Sequence, residues 1–230
     1  MINLLSLVKH WFSNIKWILI SLKPLIVNVE NRYTCLFYFL FPFHRKPLKM
    51  KFREGFILFV PASYVYEAVA ETLLFNAYEF NHMCGVAVDI GASIGDFTIL
   101  ASRKSYVVYA FEPDPNSFQY LQKNIVANKL VNVHAFNTYA TSGTLEKLLT
   151  CKVDRIDFLK IDCEGCEYEI ILNCKNETLS KISRIAMEIH EPPLCTNYTQ
   201  RTLITKLSNA GFRIRQRKLY GGYYVYALRS

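Results

Sequence analysis

The sequence lacks the features that are typical of a transmembrane helix or a cleaved signal peptide. Lys9 and Lys16 interrupt the apolar run near the start, so it falls short of the roughly 20 uninterrupted apolar residues of a transmembrane helix. A short charged start, a clean apolar stretch and a small-residue cleavage site are also missing, so no cleaved signal peptide is predicted.

Basic residues are in excess only at the N-terminal end. The 230 residues carry a formal net charge of +8, and residues 1–53 hold nine Lys or Arg against the single acid Glu30, which is also +8. The other residues are therefore balanced in charge. Nucleic acid is not an expected partner, because its binders are basic over a broad face, whereas a basic arm on a neutral core favours an anionic membrane surface.

The basic arm also has a helical pattern of apolar residues. They stand at Leu4, Val8, Trp11, Ile15, Ile18, Leu22 and Leu25. This spacing predicts an amphipathic helix, which either lies on an anionic membrane or packs on the protein core or a partner subunit. We expect residues 1–53 to be a basic amphipathic extension, 54–82 a helical lead-in segment and 83–230 the main domain. The aromatic run 35–43 is expected to form a buried strand or to continue the same surface.

Paired cysteine motifs are scarce. The seven cysteines stand at positions 35, 84, 151, 163, 166, 174 and 195. Cys163 and Cys166 form one Cys-x-x-Cys motif, but a second pair is missing, so a zinc site is disfavoured. We expect reduced cysteines and a cytoplasmic location, at the inner face of the membrane if the basic arm binds there.

Strand-like and helix-like segments alternate along the main domain. The predicted strands are 85–91, 106–112, 131–136, 156–162 and 182–190. The predicted helices are 94–104, 116–128, 144–151, 166–174 and 199–210. Such alternation predicts a mostly parallel sheet between layers of helices. Aromatic and β-branched residues on both sides of Gly221 and Gly222 predict a C-terminal antiparallel hairpin.

A Gly-x-Gly-x-x-Gly turn, typical of pyrophosphate-binding folds, is missing. A different glycine turn follows the first strand of the domain, where Gly91 and Gly95 let the backbone approach a ligand closely. Asp89 precedes this turn and would repel a phosphate, but it suits a cationic, amino-acid-like ligand. Glu112 ends the next strand, where an acid can accept the two hydroxyls of a ribose. The pattern therefore predicts S-adenosylmethionine as the cofactor.

Five motifs in order resemble a known family. They are V-D-I-G-A-x-x-G-D at 88–96, A-F-E-P at 110–113, T-L at 144–145, K-I-D-x-E-G-x-E at 160–167 and E-x-H-E at 188–191. They resemble the FkbM family of class I S-adenosylmethionine-dependent methyltransferases over roughly residues 60–230. The resemblance implies an α/β, Rossmann-like class I methyltransferase sandwich. Ser93 departs from the family, which usually has Asn there, as do Cys163 and Cys166, where small apolar residues are usual.

Ligands of open α/β sheets bind beyond the carboxyl ends of the strands, which places the predicted site there. The predicted cofactor contacts are Asp89, Gly91, Ser93, Gly95, Asp96, Glu112 and Asn137. The candidate catalytic residues are Lys160, Asp162, Glu164 and His190. Alternation along a strand would place Lys160, Asp162 and Glu164 on one face, where they could instead form a purely structural salt-bridged network. Asp162 and Glu164 are also candidate ligands of a Mg²⁺ ion.

The predicted reaction is methyl transfer from S-adenosylmethionine to a hydroxyl oxygen of a small molecule, a sugar or a lipid-linked glycan. Transfer to oxygen is what the FkbM resemblance implies. Asp162, Glu164 or His190 would take the hydroxyl proton. Two alternatives stay open: a nicotinamide-dependent oxidoreductase, and a non-catalytic membrane-associated scaffold.

Overall fold

A computed structural model describes residue 19 and residues 22–40, 46–61, 76–192, 197–219 and 222–229. Most of the predicted N-terminal amphipathic helix lies outside these residues, and so do Cys195 and much of the helical segment expected at 54–82. Within the described ranges, no helix is long and apolar enough to span a membrane.

The main domain is built on a seven-stranded sheet with the order β5-β4-β3-β6-β7-β9-β8. Its strands are β3 (Cys84–Ile90), β4 (Ser105–Phe111), β5 (Val133–Phe136), β6 (Phe158–Ile161), β7 (Arg184–Glu188), β8 (Phe212–Leu219) and β9 (Gly222–Arg229). Strands β3 to β7 run parallel, and β9 inserts antiparallel between β7 and β8. The predicted mostly parallel sheet with a C-terminal antiparallel hairpin is confirmed.

Helices connect the parallel strands, as the alternation predicts. They are α2 (Asp96–Ser102), α3 (Pro115–Ala127), α4 (Ser142–Cys151), α5 (Cys166–Asn173), α6 (Asn176–Ser180) and α7 (Gln200–Asn209). The short α6 was not predicted. Central strands such as β6 are buried along their whole length, because helices cover both faces of the sheet.

A small N-terminal layer precedes the main domain. It consists of a helical stretch at 22–28, helix α1 (Arg32–Leu40) and the antiparallel hairpin of β1 (Leu48–Lys51) and β2 (Ile57–Val60). The strand expected over the aromatic run is therefore wrong for residues 35–40. A short apolar run does not by itself distinguish a buried helix from a buried strand.

Two asparagines at the C-terminal end of α3, Asn124 and the C-cap residue Asn128, attach this hairpin to the main domain. The side-chain amide of Asn124 accepts from Phe59 N at 2.7 Å and donates to Phe59 O at 3.1 Å. Asn128 pairs in the same way with Ile57, at 2.8 and 2.7 Å. These amides satisfy peptide groups on the open edge of β2. The expected boundary at residue 53 thus falls within the hairpin, and β2 replaces helix in this part of the lead-in segment.

The connections reverse direction between the two central strands, β3 and β6. From β3 the chain proceeds to β4 and β5 on one side, whereas β6 leads to β7 on the other. Such a reversal point, at the carboxyl edge of an open α/β sheet, is where ligands of these folds bind.

Replacing Asn124 with Ala should destabilise the protein by about 1–3 kcal/mol, because buried peptide groups would lose their partners. Urea denaturation measures this loss as a lower free energy of unfolding. Asn116→Ala is the matched control, because Asn116 is exposed on the same helix and its replacement should cost less than about 0.5 kcal/mol. Equal losses in the two variants would contradict the attachment described above.

Candidate active site

The structure gathers the predicted cofactor residues at the carboxyl ends of β3, β4 and β5. They are Asp89, Gly91, Ser93, Gly95, Asp96, Glu112 and Asn137. Their contact with a cofactor stays a prediction. The glycines shape the turn, Glu112 offers hydrogen-bond acceptors, and Asp89 and Asn137 hold the surrounding loops in place.

The glycine turn after β3 requires its glycines. Gly91 has φ +74°, and a Cβ atom there would overlap the carbonyl oxygen of Asp162. At Gly95, with φ +91°, a Cβ atom would lie 2.6 Å from Leu121 Cδ1. Ser93 also has a positive φ, +48°. The turn is therefore pressed against the loop that follows β6, and a side chain at Gly91 has no room.

The Glu112 carboxylate is held at the end of β4 by backbone groups. Its Oε2 accepts from Ser93 N at 2.7 Å, and its Oε1 accepts from Asp114 N at 2.8 Å. Each oxygen keeps a second lone pair with which to accept a ribose hydroxyl. Asn137 Nδ2 donates to the carbonyl oxygens of Glu112 and Pro113 at 2.8 and 3.0 Å, so Asn137 fixes this loop.

Asp89 is fully buried, and its carboxylate pairs with Thr98 and Lys160. Thr98 Oγ1 donates to Oδ2 at 2.6 Å, and Lys160 Nζ lies 3.2 Å from Oδ1. Lys160 also donates to Gly91 O at 2.6 Å and lies 3.6 Å from Asp162 Oδ2. Burial lowers the pKa of Lys160, but the charges of Asp89 and Asp162 outweigh it and raise that pKa. Lys160 therefore stays protonated, and with Asp89 it supports the turn.

An acid and imidazole cluster lies where β6 and β7 end. Ligand-type atoms of Asp162, Glu188 and His190 all lie within 4.8 Å of one another. Tyr78 OH donates to Asp162 Oδ2 at 2.7 Å, and Tyr224 OH donates to Glu188 Oε2 at 3.2 Å. Two of these groups, Asp162 and His190, were predicted catalytic residues, and the fold brings them together.

His190 carries a positive charge at neutral pH. Hydrogen bonding to Glu167 raises the pKa of His190 to about 9, and the charges of Asp162 and Glu164 add to this effect, although burial opposes it. A protonated imidazole cannot accept another proton. The expectation that His190 could serve as the general base is therefore not supported.

Glu188 was missed by the sequence analysis as a site residue. Burial, with the nearby charge of Asp162, raises the pKa of Glu188 to about 7. A general base works best when its pKa lies near the working pH. The signal was available, because Glu188 opens the E-x-H-E motif at the end of a predicted strand. Tyr78, which bonds to Asp162, had no such signal.

The expectation that Lys160, Asp162 and Glu164 share one strand face is wrong. Strand β6 ends at Ile161, and Glu164 adopts φ +55° with its side chain 88% exposed. His190 Nε2 lies 3.8 Å from Asp162 Oδ1 and 3.7 Å from Glu164 Oε2. The charged ring thus pairs with the two carboxylates that were predicted to bind Mg²⁺. The structure does not support the predicted Mg²⁺ site.

Cys163 and Cys166 form a disulfide, so the expectation of reduced cysteines is wrong for this pair. The left-handed residues Glu164 and Gly165, at φ +55° and +101°, turn the chain and bring the two Cα atoms to 5.4 Å. Outside this pair, the free cysteines of the described residues are Cys35, Cys84, Cys151 and Cys174.

Residues 144–214 match the family model of the methyltransferase FkbM domain. The FkbM resemblance is confirmed. The matched segment includes the loop after β6 and the end of β7, and so contains the whole acid and imidazole cluster except Tyr78 and Tyr224. No curated protein matches the sequence.

Solved methyltransferase structures share the fold of this chain at low identity. Precorrin-6y C5,15-methyltransferase from Geobacter metallireducens is 18% identical with a TM-score of 0.50, over 67% of this chain and 85% of that one. M. capricolum TrmK with S-adenosylhomocysteine is 16% identical, with a TM-score of 0.51 and coverages of 67% and 66%. M. jannaschii TYW2 with AdoMet is 20% identical, with a TM-score of 0.51 and coverages of 81% and 88%. The expected Rossmann-like class I methyltransferase fold is confirmed.

Gly91→Ala should destabilise the protein by more than about 2 kcal/mol, because the positive φ is strained for alanine and its Cβ would overlap Asp162 O. Gly143→Ala is the control, because Gly143 lies inside α4 and an added Cβ meets only Thr141 Oγ1 at 3.5 Å. It should be neutral or stabilising by up to about 1 kcal/mol. Chemical denaturation of both variants compares them, and a stable Gly91→Ala protein would contradict the close approach.

Proposed function

We propose that the protein transfers a methyl group from S-adenosylmethionine to a hydroxyl oxygen of a small molecule, a sugar or a lipid-linked glycan. The observation that carries this proposal is Glu188, a carboxylate with a pKa of about 7 beside Asp162, at the same edge of the sheet as the glycine turn. The glycine turn and the two open lone pairs of Glu112 support S-adenosylmethionine as the methyl donor.

When bound, S-adenosylmethionine supplies an electrophilic methyl group on a positively charged sulfur. Glu188 accepts the hydroxyl proton as the acceptor oxygen bonds to the methyl carbon and the carbon–sulfur bond breaks. Alignment of the two reactants and removal of this proton are the main requirements of the reaction. Tyr78 OH holds the side chain of Asp162 in place. The charge of Asp162, together with burial, raises the pKa of Glu188 to about 7.

The pKa of the proposed base Glu188, about 7, favours an oxygen atom as the acceptor of the methyl group. A hydroxyl holds its proton at neutral pH, so its attack is assisted by a carboxylate in the neutral range, whereas a neutral amine already offers a lone pair. The fold leaves this question open, since the precorrin-6y enzyme with the same fold is by its name a carbon methyltransferase. The Mg²⁺ ion predicted at Asp162 and Glu164 has no part in this proposal, because the His190 ring already pairs with both acids.

Membrane association of residues 1–53 and a cytoplasmic location stay predictions. Only residue 19 and the stretches 22–40 and 46–53 of that segment are described, so its amphipathic pattern is not tested. A lipid-linked glycan would suit an enzyme held at a membrane, but the small-molecule and sugar acceptors need no such surface.

Glu112→Ala should weaken binding of S-adenosylhomocysteine about 5- to 150-fold, because the ribose hydroxyls lose their acceptor. Titration calorimetry measures this affinity. Glu146→Ala is the control. Glu146 lies on α4 and pairs with the exposed Lys175, so its replacement should leave the affinity unchanged. Unchanged affinity in Glu112→Ala would show the ribose assignment to be wrong, and preferential binding of NAD by the parent protein would favour the oxidoreductase alternative.

Glu188→Gln should lower methyl transfer by a factor on the order of 10²–10⁴, with little change in affinity for S-adenosylhomocysteine. The assay follows tritium from methyl-labelled S-adenosylmethionine into a pooled metabolite and glycan extract. Because the base must be ionised, transfer by the parent protein should rise with pH through about 7. Glu177→Gln, at a side chain 79% exposed on α6, is the control and should behave as the parent protein. Full transfer by Glu188→Gln would falsify the base assignment.

A further inference from the structure

Glu167 is a buried carboxylate for which the proposed reaction has no use so far. Its side chain is 0% exposed near the start of α5. Oε2 accepts from Gly165 N at 2.9 Å, and Oε1 accepts from His190 N at 2.7 Å. A buried charge is costly unless it is paired. A carboxylate at this buried position therefore indicates a role beyond packing.

The Glu167 carboxylate holds the ring of His190 as well as its backbone. His190 Nδ1 lies 3.4 Å from Oε1, the oxygen that also accepts from His190 N. Tyr168 OH donates to His190 O at 3.0 Å and fixes the same residue from the next position of α5. With Nδ1 turned toward Glu167, the other ring nitrogen, Nε2, is directed at Asp162 and Glu164.

We propose that Glu167 is a positioning residue that keeps His190 as an oriented imidazolium that faces Asp162 and Glu164, beside the base Glu188. This rests on the proposed function. Glu167 does not touch the reacting atoms; it acts through His190. The positive ring then makes the ionised form of Glu188 accessible near neutral pH.

The charges around His190 explain why this positive ring matters. Asp162 and Glu164 face it from the loop after β6, Glu167 from α5 and Glu188 from its own strand. The charge of His190 lowers the pKa of Glu188, whereas burial and the charge of Asp162 raise it. If His190 were neutral, the crowded carboxylates would repel one another more strongly, and the pKa of Glu188 would rise above the neutral range.

The first test is a nuclear magnetic resonance titration of the ¹³C-labelled histidine rings. The sequence has five histidines, and His190→Gln identifies the signal of the residue in question. In the parent protein we expect this signal to titrate near pH 9. In Glu167→Gln it should titrate about one pH unit lower or more, because the negative partner of the ring is gone.

Glu169→Gln is the matched control. It removes the same charge from the same helix, but Glu169 contacts the side chain of Asn173 at 3.5 Å and is not among the groups that shift the pKa of His190. The His190 signal of this variant should titrate as in the parent protein. Glu167→Asp keeps the negative charge, so it should keep the titration of His190 well above the ordinary value of about 6.5.

The second test is the pH profile of methyl transfer, measured with labelled S-adenosylmethionine and the same extract. In Glu167→Gln the rising limb should move to higher pH, because His190 loses part of its charge near neutral pH and the pKa of Glu188 then rises. A purely structural tie would lower stability and leave the limb in place. Thermal unfolding and binding of S-adenosylhomocysteine confirm that each variant is folded.

Two results overturn the proposal whether or not methyl transfer is detected. One is a parent His190 that titrates near its ordinary pKa of about 6.5. The other is a folded Glu167→Gln protein whose His190 titrates as in the parent. If Glu167→Gln does not fold, Glu167→Asp decides, since a His190 titration that falls to the ordinary value despite the retained charge also contradicts the proposal. Failure of the proposed function shows separately, as absent methyl transfer with the histidine titration as expected.

Discussion

One buried ammonium group joins the two halves of the candidate site. Lys160 Nζ donates to the carbonyl oxygen of Gly91 and pairs with Asp89 on the side of the glycine turn, and it lies 3.6 Å from Asp162 on the side of the acid cluster. These contacts cross from β6 to β3, where the connections reverse. In the proposed reaction, the position of the methyl donor relative to the proton acceptor therefore depends on the Lys160 ammonium group.

The buried ammonium also explains why the turn tolerates so little change. The carbonyl oxygen of Gly91 accepts from Lys160, and its Cα atom lies close to the carbonyl group of Asp162. The salt-bridged network expected as an alternative is present in part, since Lys160 pairs with Asp162 but with Asp89 in place of Glu164. It does not replace a functional site, because Glu188 and His190 lie beside it with shifted pKa values.

Much of the fold could be predicted, because its strands and helices differ in period and its glycine turns are local. The carboxyl ends of parallel strands meet at one edge, so the positions of Glu112, Asp162 and His190 followed from the strand assignment. What could not be predicted depends on burial and on distant contacts. Tyr78 reaches Asp162 across 84 positions of the chain. The pKa of Glu188 is set by its surroundings, and period alone did not show that β6 ends before Asp162.

Signs of charge alternate through the site, from Asp89 to Lys160, then to Asp162, His190 and Glu167. In a medium of low dielectric each charge stabilises its neighbours, so the two cations are held protonated and their pKa values rise. Glu188 lies beside this series and is subject to opposing effects, since Asp162 repels its charge while His190 and Lys160 attract it. Burial adds to the repulsion, and the balance leaves Glu188 with a pKa in the neutral range. The charges of Asp162, His190 and Lys160 thus act on one carboxyl group whose pKa is about 7, which is the electrostatic arrangement that a general base requires.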